Sequence, residues 1–296
     1  MKKLFLFYCV LASFCFILII SVKATVDPGT IVGIWLFDQD GKALDSSGKG
    51  HDGKIEGNVK WVNGKFGKAI DLDGNSFVVI DHAKDMNLEK FTLMAWVKIP
   101  KAPNDWWTIA AKDGWPNRNY GVWLTPGTSL AHLSWTSGTA PNNHVIDSVT
   151  TITGSDWFHV VTTYDMKVSK LYINGKLEAQ GNFTDTPNVT DVKFTVGKTA
   201  IDIYKLVGSV DDLGLFSQAL SDQNINDIMA NGLKSLINSV SYDINQDGLV
   251  NILDMVLIAI NFGKTGKDIV GDANVDGKVD ALDLDLLIKH FGEKSK

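Results

Sequence analysis

The sequence predicts a mainly β protein: an antiparallel β-sandwich of jelly-roll type with a small C-terminal all-α domain built on two calcium loops. Three observations lead there. Residues 31–214 are a series of short β-rich apolar runs and turns with no helical period between them, which indicates a sandwich or jelly roll. A twelve-residue pattern of oxygen-bearing side chains occurs twice near the C-terminus, each time running into an apolar helix. Both cysteines, Cys9 and Cys15, stand in the first 24 residues, so the rest of the chain must hold together by core packing or metal.

The chain has 296 residues, room for two domains. Residues 1–24 read as a secretory signal peptide: Lys2 and Lys3 precede an apolar run from Leu4 to Ile20, and Val22-Lys23-Ala24 offers a cut after Ala24. The alternative is an uncleaved membrane anchor. Phe14 before Cys15 disfavours a lipoprotein. The expectation is an extracellular or cell-surface protein with no stable membrane insertion. The net charge of −6 would become −9 on cleavage. No basic stripe is present, which argues against a nucleic-acid partner.

Residues 25–235 form the expected sandwich domain. Ile31–Phe37 is an apolar strand and Asp45–Gly53 a long turn. Phe91–Ile99 carries bulk on both faces, as an interior strand does, and Trp157–Tyr164 is similar. Lys170–Ile173 and Lys176–Glu178 flank Asn174-Gly175, a hairpin signal. Phe194–Val196 and Val207–Phe216 supply the last strands. Ser221 caps a helix with apolar positions Ile225, Ile228, Met229 and Leu233.

Residues 236–296 form the second domain. In Asp243–Asp254 and again in Asp272–Asp283, carboxylates or carboxamides fall at positions 1, 3, 5, 9 and 12, with glycine at position 6. A hard cation takes six to eight oxygens, and the glycine permits the bend that gathers them. Helices follow from about Leu253 and Ala281, with Gly263 and Gly292 as stops.

This duplicated loop-helix unit resembles the type I dockerin domain over about residues 240–292. Each loop has aspartate at position 12 and one following helix, where a paired EF-hand has glutamate and a helix before each loop as well. The resemblance implies calcium ligands Asp243, Asn245, Asp247, Leu249 (carbonyl), Asn251 (through water) and Asp254. In the second loop it implies Asp272, Asn274, Asp276, Lys278 (carbonyl), Asp280 (through water) and Asp283. It implies a cohesin partner met by Ile252-Leu253 and Ala281-Leu282. Hydroxyl residues stand there in the best-known members, so an apolar contact is expected. The helix spacing of the leucines equally suits core positions.

Residues 31–233 resemble the LamG-like jelly roll of the concanavalin A-like superfamily, through "GKFGKAIDLDG", "FTLMAWVKI", "DWFHVVTTYD", "KLYINGKLEAQG" and "LVGSVDDLGLFSQALS". That fold hosts sugar binding, adhesion and catalysis, so it does not decide function. No glutamate has an acidic neighbour two residues away, and no G-x-S-x-G is present. The expectation is therefore not an enzyme but a module for a polysaccharide or other glycan, or another surface ligand, in polysaccharide degradation. The alternatives are a glycoside hydrolase and a structural adhesion protein.

Trp106, Trp107, Trp115 and Tyr120 crowd a loop-like stretch and offer rings for stacking on sugar. Trp123 and Trp135 read as core. A third calcium site is expected at Asp38, Asp45 and Asp212, with Asp211 beside them. His82, His132, His144 and His159 lack ligand spacing.

Overall fold

The computed structural model describes residues 26–139, 142–237, 242–245, 247–266, 269–274 and 276–294. The expected leader and its cut after Ala24 lie outside the described residues. Two antiparallel sheets face each other. Numbered in chain order and given in spatial order, the first sheet runs β13 (Lys176–Asn182), β12 (Val168–Ile173), β11 (Phe158–Tyr164), β6 (Phe91–Lys98), β15 (Val207–Phe216), β4 (Lys68–Asp73) and β3 (Lys60–Asn63), and β1 (Ile31–Trp35) also pairs with β15. The second runs β10 (Asn142–Thr151), β9 (Leu130–Ser137), β8 (Asn117–Leu124), β7 (Trp107–Gly114), β14 (Phe194–Val196), β5 (Phe77–Ile80) and β2 (Gly53–Glu56).

The interior strand expected at Phe91–Ile99 is β6, held between β11 and β15. The Asn-Gly hairpin joins β12 to β13. Asn174 and Gly175 both have positive φ, as a type I′ turn requires, and the Asn174 Oδ1 accepts the N–H of His159 at 2.8 Å. Inward-facing residues fill the space between the sheets, with Trp35, Phe91, Tyr120, Trp135, Tyr164 and Phe194 among the largest. Trp135 stacks on His144 at 4.0 Å between ring centroids and donates its Nε1–H to Ser169.

Helix α1 (Asp222–Asn231) starts at the expected cap, where the Ser221 hydroxyl accepts the N–H of Asn224. Its Ile225 and Ile228 pack with Met94, Val161 and Tyr172 on the outer face of the first sheet. This explains the bulk on both faces of β6. A short α2 (Lys234–Ile237), absent from the sequence expectation, follows.

On that outer face His159 lies opposite Trp96, its ring 4.9 Å away. Burial, then the charge of Lys65, push the imidazole down to about 3. A depressed folded-state value leaves stability intact above the ordinary histidine pKa and removes it as pH falls. The loss is roughly 3 kcal/mol by pH 4. His159→Phe, which keeps a neutral ring, is expected to lose that much less stability between pH 7 and pH 4 in urea titrations. An unchanged difference would contradict the assignment.

The C-terminal unit holds α3 (Ile252–Asn261) and α4 (Ala281–Lys289). Both start with a capping box: Asn251 with Asp254, and Asp280 with Asp283. Position 12 of each loop is thus also the third residue of its helix, which fixes loop to helix. The unit's own core is small: Val250, Ile258, Val279 and Leu287, with Tyr242, Met255 and Ile269 against it. Its ends meet where the Val250 N–H donates to the Glu293 carbonyl and Tyr242 stacks on His290 at 3.8 Å.

Candidate functional site: an aromatic cleft and two oxygen-rich loops

A cleft of about 410 Å³ opens on the outer face of the second sheet. Strand pairing builds it. Thr108 on β7 lies opposite Trp123 on β8, and Trp123 lies opposite His132 on β9. The β7–β8 turn brings up Asp113, Trp115 and Arg118, and β10 adds Asn143 and Val145. Ile201, Ile203 and Tyr204 close the far side.

Arg118 is the hub. Its guanidinium carbon lies 4.9 Å from the Trp115 ring centroid and 5.3 Å from that of Trp123. Its Nη1 donates to the Ser134 hydroxyl at 3.0 Å, and its Nε is 3.4 Å from Asp113. Burial pushes the Asp113 carboxyl up, against the opposing charge of Arg118 and the N–H of Trp115. Trp106 meets His132 edge-on at 4.7 Å. Burial lowers the His132 pKa despite its 2.6 Å contact with Asp147, so near neutral pH this ring is uncharged. Two buried donors of this face, the Thr108 hydroxyl and Trp123 Nε1, have no hydrogen-bond partner, whereas Arg118 Nε faces Asp113. Buried donors are normally satisfied, and of these two the Trp123 indole borders the cleft.

Two of the four ring candidates line this cleft: Trp106 and the exposed Trp115. The other two do not. Trp107 and Tyr120 point into the core, and the Tyr120 hydroxyl donates to the Met86 carbonyl. The cause is alternation: neighbours on a strand face opposite ways. Trp123, expected in the core, is buried at 3 % exposure, but the same rule sets it on the outer side of the sheet, where it borders the cleft. Tyr120, Val122 and Leu124 take the inner face, and Trp123 takes the outer one. Arg118, His132 and Asn143 were not foreseen.

At the expected third calcium site each aspartate accepts backbone N–H groups. Asp45 accepts the N–H groups of Ile34, Ser47 and His51 and thereby ties the 45–52 turn together. Asp38 accepts from Lys68, Asp211 from Lys65 and Phe66, and Asp212 from Leu233. Among the described residues no group of three or more His, Asp or Glu side chains is gathered to hold a metal by itself.

The two C-terminal loops offer mixed donor sets. In the first, Asp243 accepts the N–H groups of Asp247 and Gly248, and Asp254 accepts those of Asn245 and Asn251. The Asn251 amide donates to the Leu249 carbonyl at 3.1 Å and reaches both Asp247 oxygens. Positions 5 and 7 therefore aim acceptors at one point. The second loop repeats the backbone bonds: Asp272 accepts the N–H groups of Asp276 and Gly277, and Asp283 those of Asn274 and Asp280. Carboxylate, carboxamide and carbonyl oxygens turned into one loop fit a hard cation.

The repeats differ in their surroundings. On α3, Ile252, Leu253, Val256 and Ile260 are each 48–65 % exposed. On α4 the side that carries Leu282, Leu286 and Lys289 meets the sandwich. Lys289 pairs with Asp52 at 3.3 Å, and Lys49 stands 3.8 Å from Asp276. A Cβ on Gly48 would fall 2.7 Å from the Asn274 Cβ and 3.1 Å from Leu286, and one on Gly50 would touch Leu282. Of the four expected partner-contact residues, Ile252, Leu253 and Ala281 are exposed and Leu282 is half-buried. Gly48 has φ +81°, so Gly48→Val adds both clash and about 1–3 kcal/mol of backbone strain. It is expected to separate the two units, seen as a larger radius of gyration in small-angle scattering. An unchanged radius would show that the contact is dispensable.

A two-sheet jelly roll with an aromatic cleft on one outer face belongs to the lectin-like class of β-sandwiches. Residues 72–226 match the model of the concanavalin A-like lectin/glucanases superfamily, Laminin_G_3, and the chain belongs to that superfamily. No characterised protein matches the sequence. Among solved structures, the chain is similar to the binding domain of Paraclostridial Mosquitocidal Protein 1, with TM-score 0.58 and 17% identity over 70% of this chain and 53% of that one. It is similar to the binding domain of Botulinum Neurotoxin DC in complex with SialylT, with TM-score 0.56 and 17% identity over 69% and 51%. It is also similar to Domain 4 of AbnA, a GH43 extracellular arabinanase from Geobacillus stearothermophilus, in complex with arabinotriose, with TM-score 0.53 and 23% identity over 68% and 98%. The chain thus spans about half the length of the two toxin domains.

Proposed function

We propose that the chain is an extracellular glycan-binding module, with the cleft between Trp106, Trp115, Arg118, Trp123 and His132 as its binding site. The observation that carries this is the combination of flat rings with two unpartnered buried donors, the Thr108 hydroxyl and Trp123 Nε1, on one face. Rings stack on the apolar faces of a sugar, and unsatisfied donors select its oxygens. Solved neighbours that hold arabinotriose or SialylT support the same use of the fold. A glycan array on the full chain, repeated with Trp106→Ala, tests it. Hits lost in the variant support it, and an array without hits would leave a protein-binding adhesion role. A hydrolase needs two carboxyls across the scissile bond. Of the carboxylates bordering the cleft, Asp113 is engaged by Arg118 and the N–H of Trp115, and Asp147 by His132, so no observation favours catalysis.

The C-terminal unit, in this proposal, is a calcium-dependent dockerin that anchors the module to a cohesin-bearing scaffold in polysaccharide degradation. The ligands are those named above, two ions in all. Its contact surface is Ile252, Leu253, Val256 and Ile260 of α3, because the side of α4 that carries Leu282, Leu286 and Lys289 already lies against the sandwich. Val256→Asp with Ile260→Asp is expected to weaken capture by a cohesin domain at least tenfold in surface plasmon resonance with calcium present. Undiminished capture would place the contact elsewhere.

A further inference from the structure

We propose that the cleft selects uncharged glycans, and that Arg118 serves there as a support stacked on its tryptophans and not as a receptor for acidic sugars. This rests on the reading of the cleft as a glycan site. An arginine in a sugar site ordinarily suggests a carboxylate or sulfate ligand, because its fork matches those groups. Here the surroundings cancel that role. Arg118 is the one lysine or arginine among the described residues that line the cleft, and His132 beside it is paired with Asp147. Its Nε faces Asp113, which is 2 % exposed and cannot swing away into water. Its Nη1 is taken by Ser134 and reaches toward Asn143 at 3.4 Å. Its flat faces lie against Trp115 and Trp123.

The remaining charges at the cleft are negative. Asp147 sits behind His132 at 2.6 Å. Asp105 lies next to Trp106, whose N–H it accepts. A carboxylate brought to Arg118 would therefore meet Asp113 beyond it and Asp147 beside it, with no second cation to offset them. The unpartnered atoms, by contrast, include two neutral donors. The Trp123 Nε1–H and the Thr108 hydroxyl suit hydroxyl and ring oxygens without calling for charge. The guanidinium, held against both indoles, fixes the rings that form the platform.

The test is calorimetric titration of the full chain, with calcium, using arabinotriose, a neutral hexose oligosaccharide, an oligogalacturonate and sialyllactose, at low and high salt. The expected result is binding of one or both neutral sugars, with affinity insensitive to salt and acidic sugars at least tenfold weaker. Asp113→Asn keeps the oxygen that accepts the Trp115 N–H and removes the compensating charge. It is expected to strengthen acidic sugars about tenfold relative to neutral ones. Arg118→Lys keeps charge and loses the flat face, so neutral binding is expected to fall about tenfold. Tighter, salt-sensitive binding of the acidic sugars by the unaltered chain, retained in Arg118→Lys, would overturn the proposal while leaving the glycan site standing. Failure of all four sugars and of a broad array would overturn both.

Discussion

Chelation of calcium is expected to melt α3 and α4 while leaving the sandwich folded. The region 240–296 carries nine aspartates and one glutamate against six lysines, a formal −4, and two divalent ions bring this to zero. Within each loop the carboxylates crowd one another. Burial raises the Asp283 carboxyl, and the charges of Asp272 and Asp276 raise it further. Little else holds the unit together. Among the described residues its own core cluster is Val250, Ile258, Val279 and Leu287, and units this small need a staple. At a hundredfold excess over Kd each ion contributes about 2.7 kcal/mol. Two such contributions are comparable with the whole stability of a domain of this size. Hydrogen exchange on the full chain separates the two units. Chelator is expected to strip protection from residues 252–261 and 281–289, with β6 and β11 as an unchanged internal standard. Equal protection of both helices with and without calcium would contradict the coupling of metal to folding.

Trp106→Ala and Trp123→Ala are each expected to weaken glycan binding by about 2 kcal/mol, roughly thirtyfold, because anchors of this kind carry most of the energy of a site. Trp123 sits at the centre of the outer face, 5.3 Å from Arg118 and within edge contact of His132. Its loss removes a stacking face, a donor and one support of the guanidinium. Trp107→Phe is the informative control. That ring belongs to the core, so the change is expected to lower thermal stability and leave binding within a fewfold. If Trp107→Phe abolished binding in a folded protein while Trp123→Ala did not, the cleft would be the wrong site.

The jelly roll was legible because its signals are local. Asn174-Gly175, the two-faced bulk of Phe91–Ile99 and the Ser221 cap each define one element by backbone chemistry alone. The capping boxes followed from the same spacing that marks the loops, since position 12 is also the third helical residue. The cleft was only half legible. Crowding of aromatics found Trp106 and Trp115, but crowding is blind to which way a strand turns its side chains. Tyr120 and Trp123 are three apart on β8 and face opposite ways. Arg118, His132 and Asn143 come from three consecutive strands, β8, β9 and β10, and the register that sets them side by side is not read from spacing alone. At Asp38, Asp45 and Asp212 the sequence shows the acids but not the turn N–H groups that donate to them. The contact of α4 with the 45–52 turn joins residues more than 200 positions apart and left no mark in the sequence beyond two glycines.

The central claim is that the outer face of the second sheet binds a glycan through its tryptophans. Intrinsic fluorescence of the full chain, titrated with arabinotriose and with the neutral hits of a glycan array, reads those indoles directly. The expected result is a saturable change with at least one neutral glycan, lost in Trp123→Ala and preserved in Trp107→Phe. A saturable change that survives Trp106→Ala, Trp115→Ala and Trp123→Ala alike, or no change with any glycan, would contradict it.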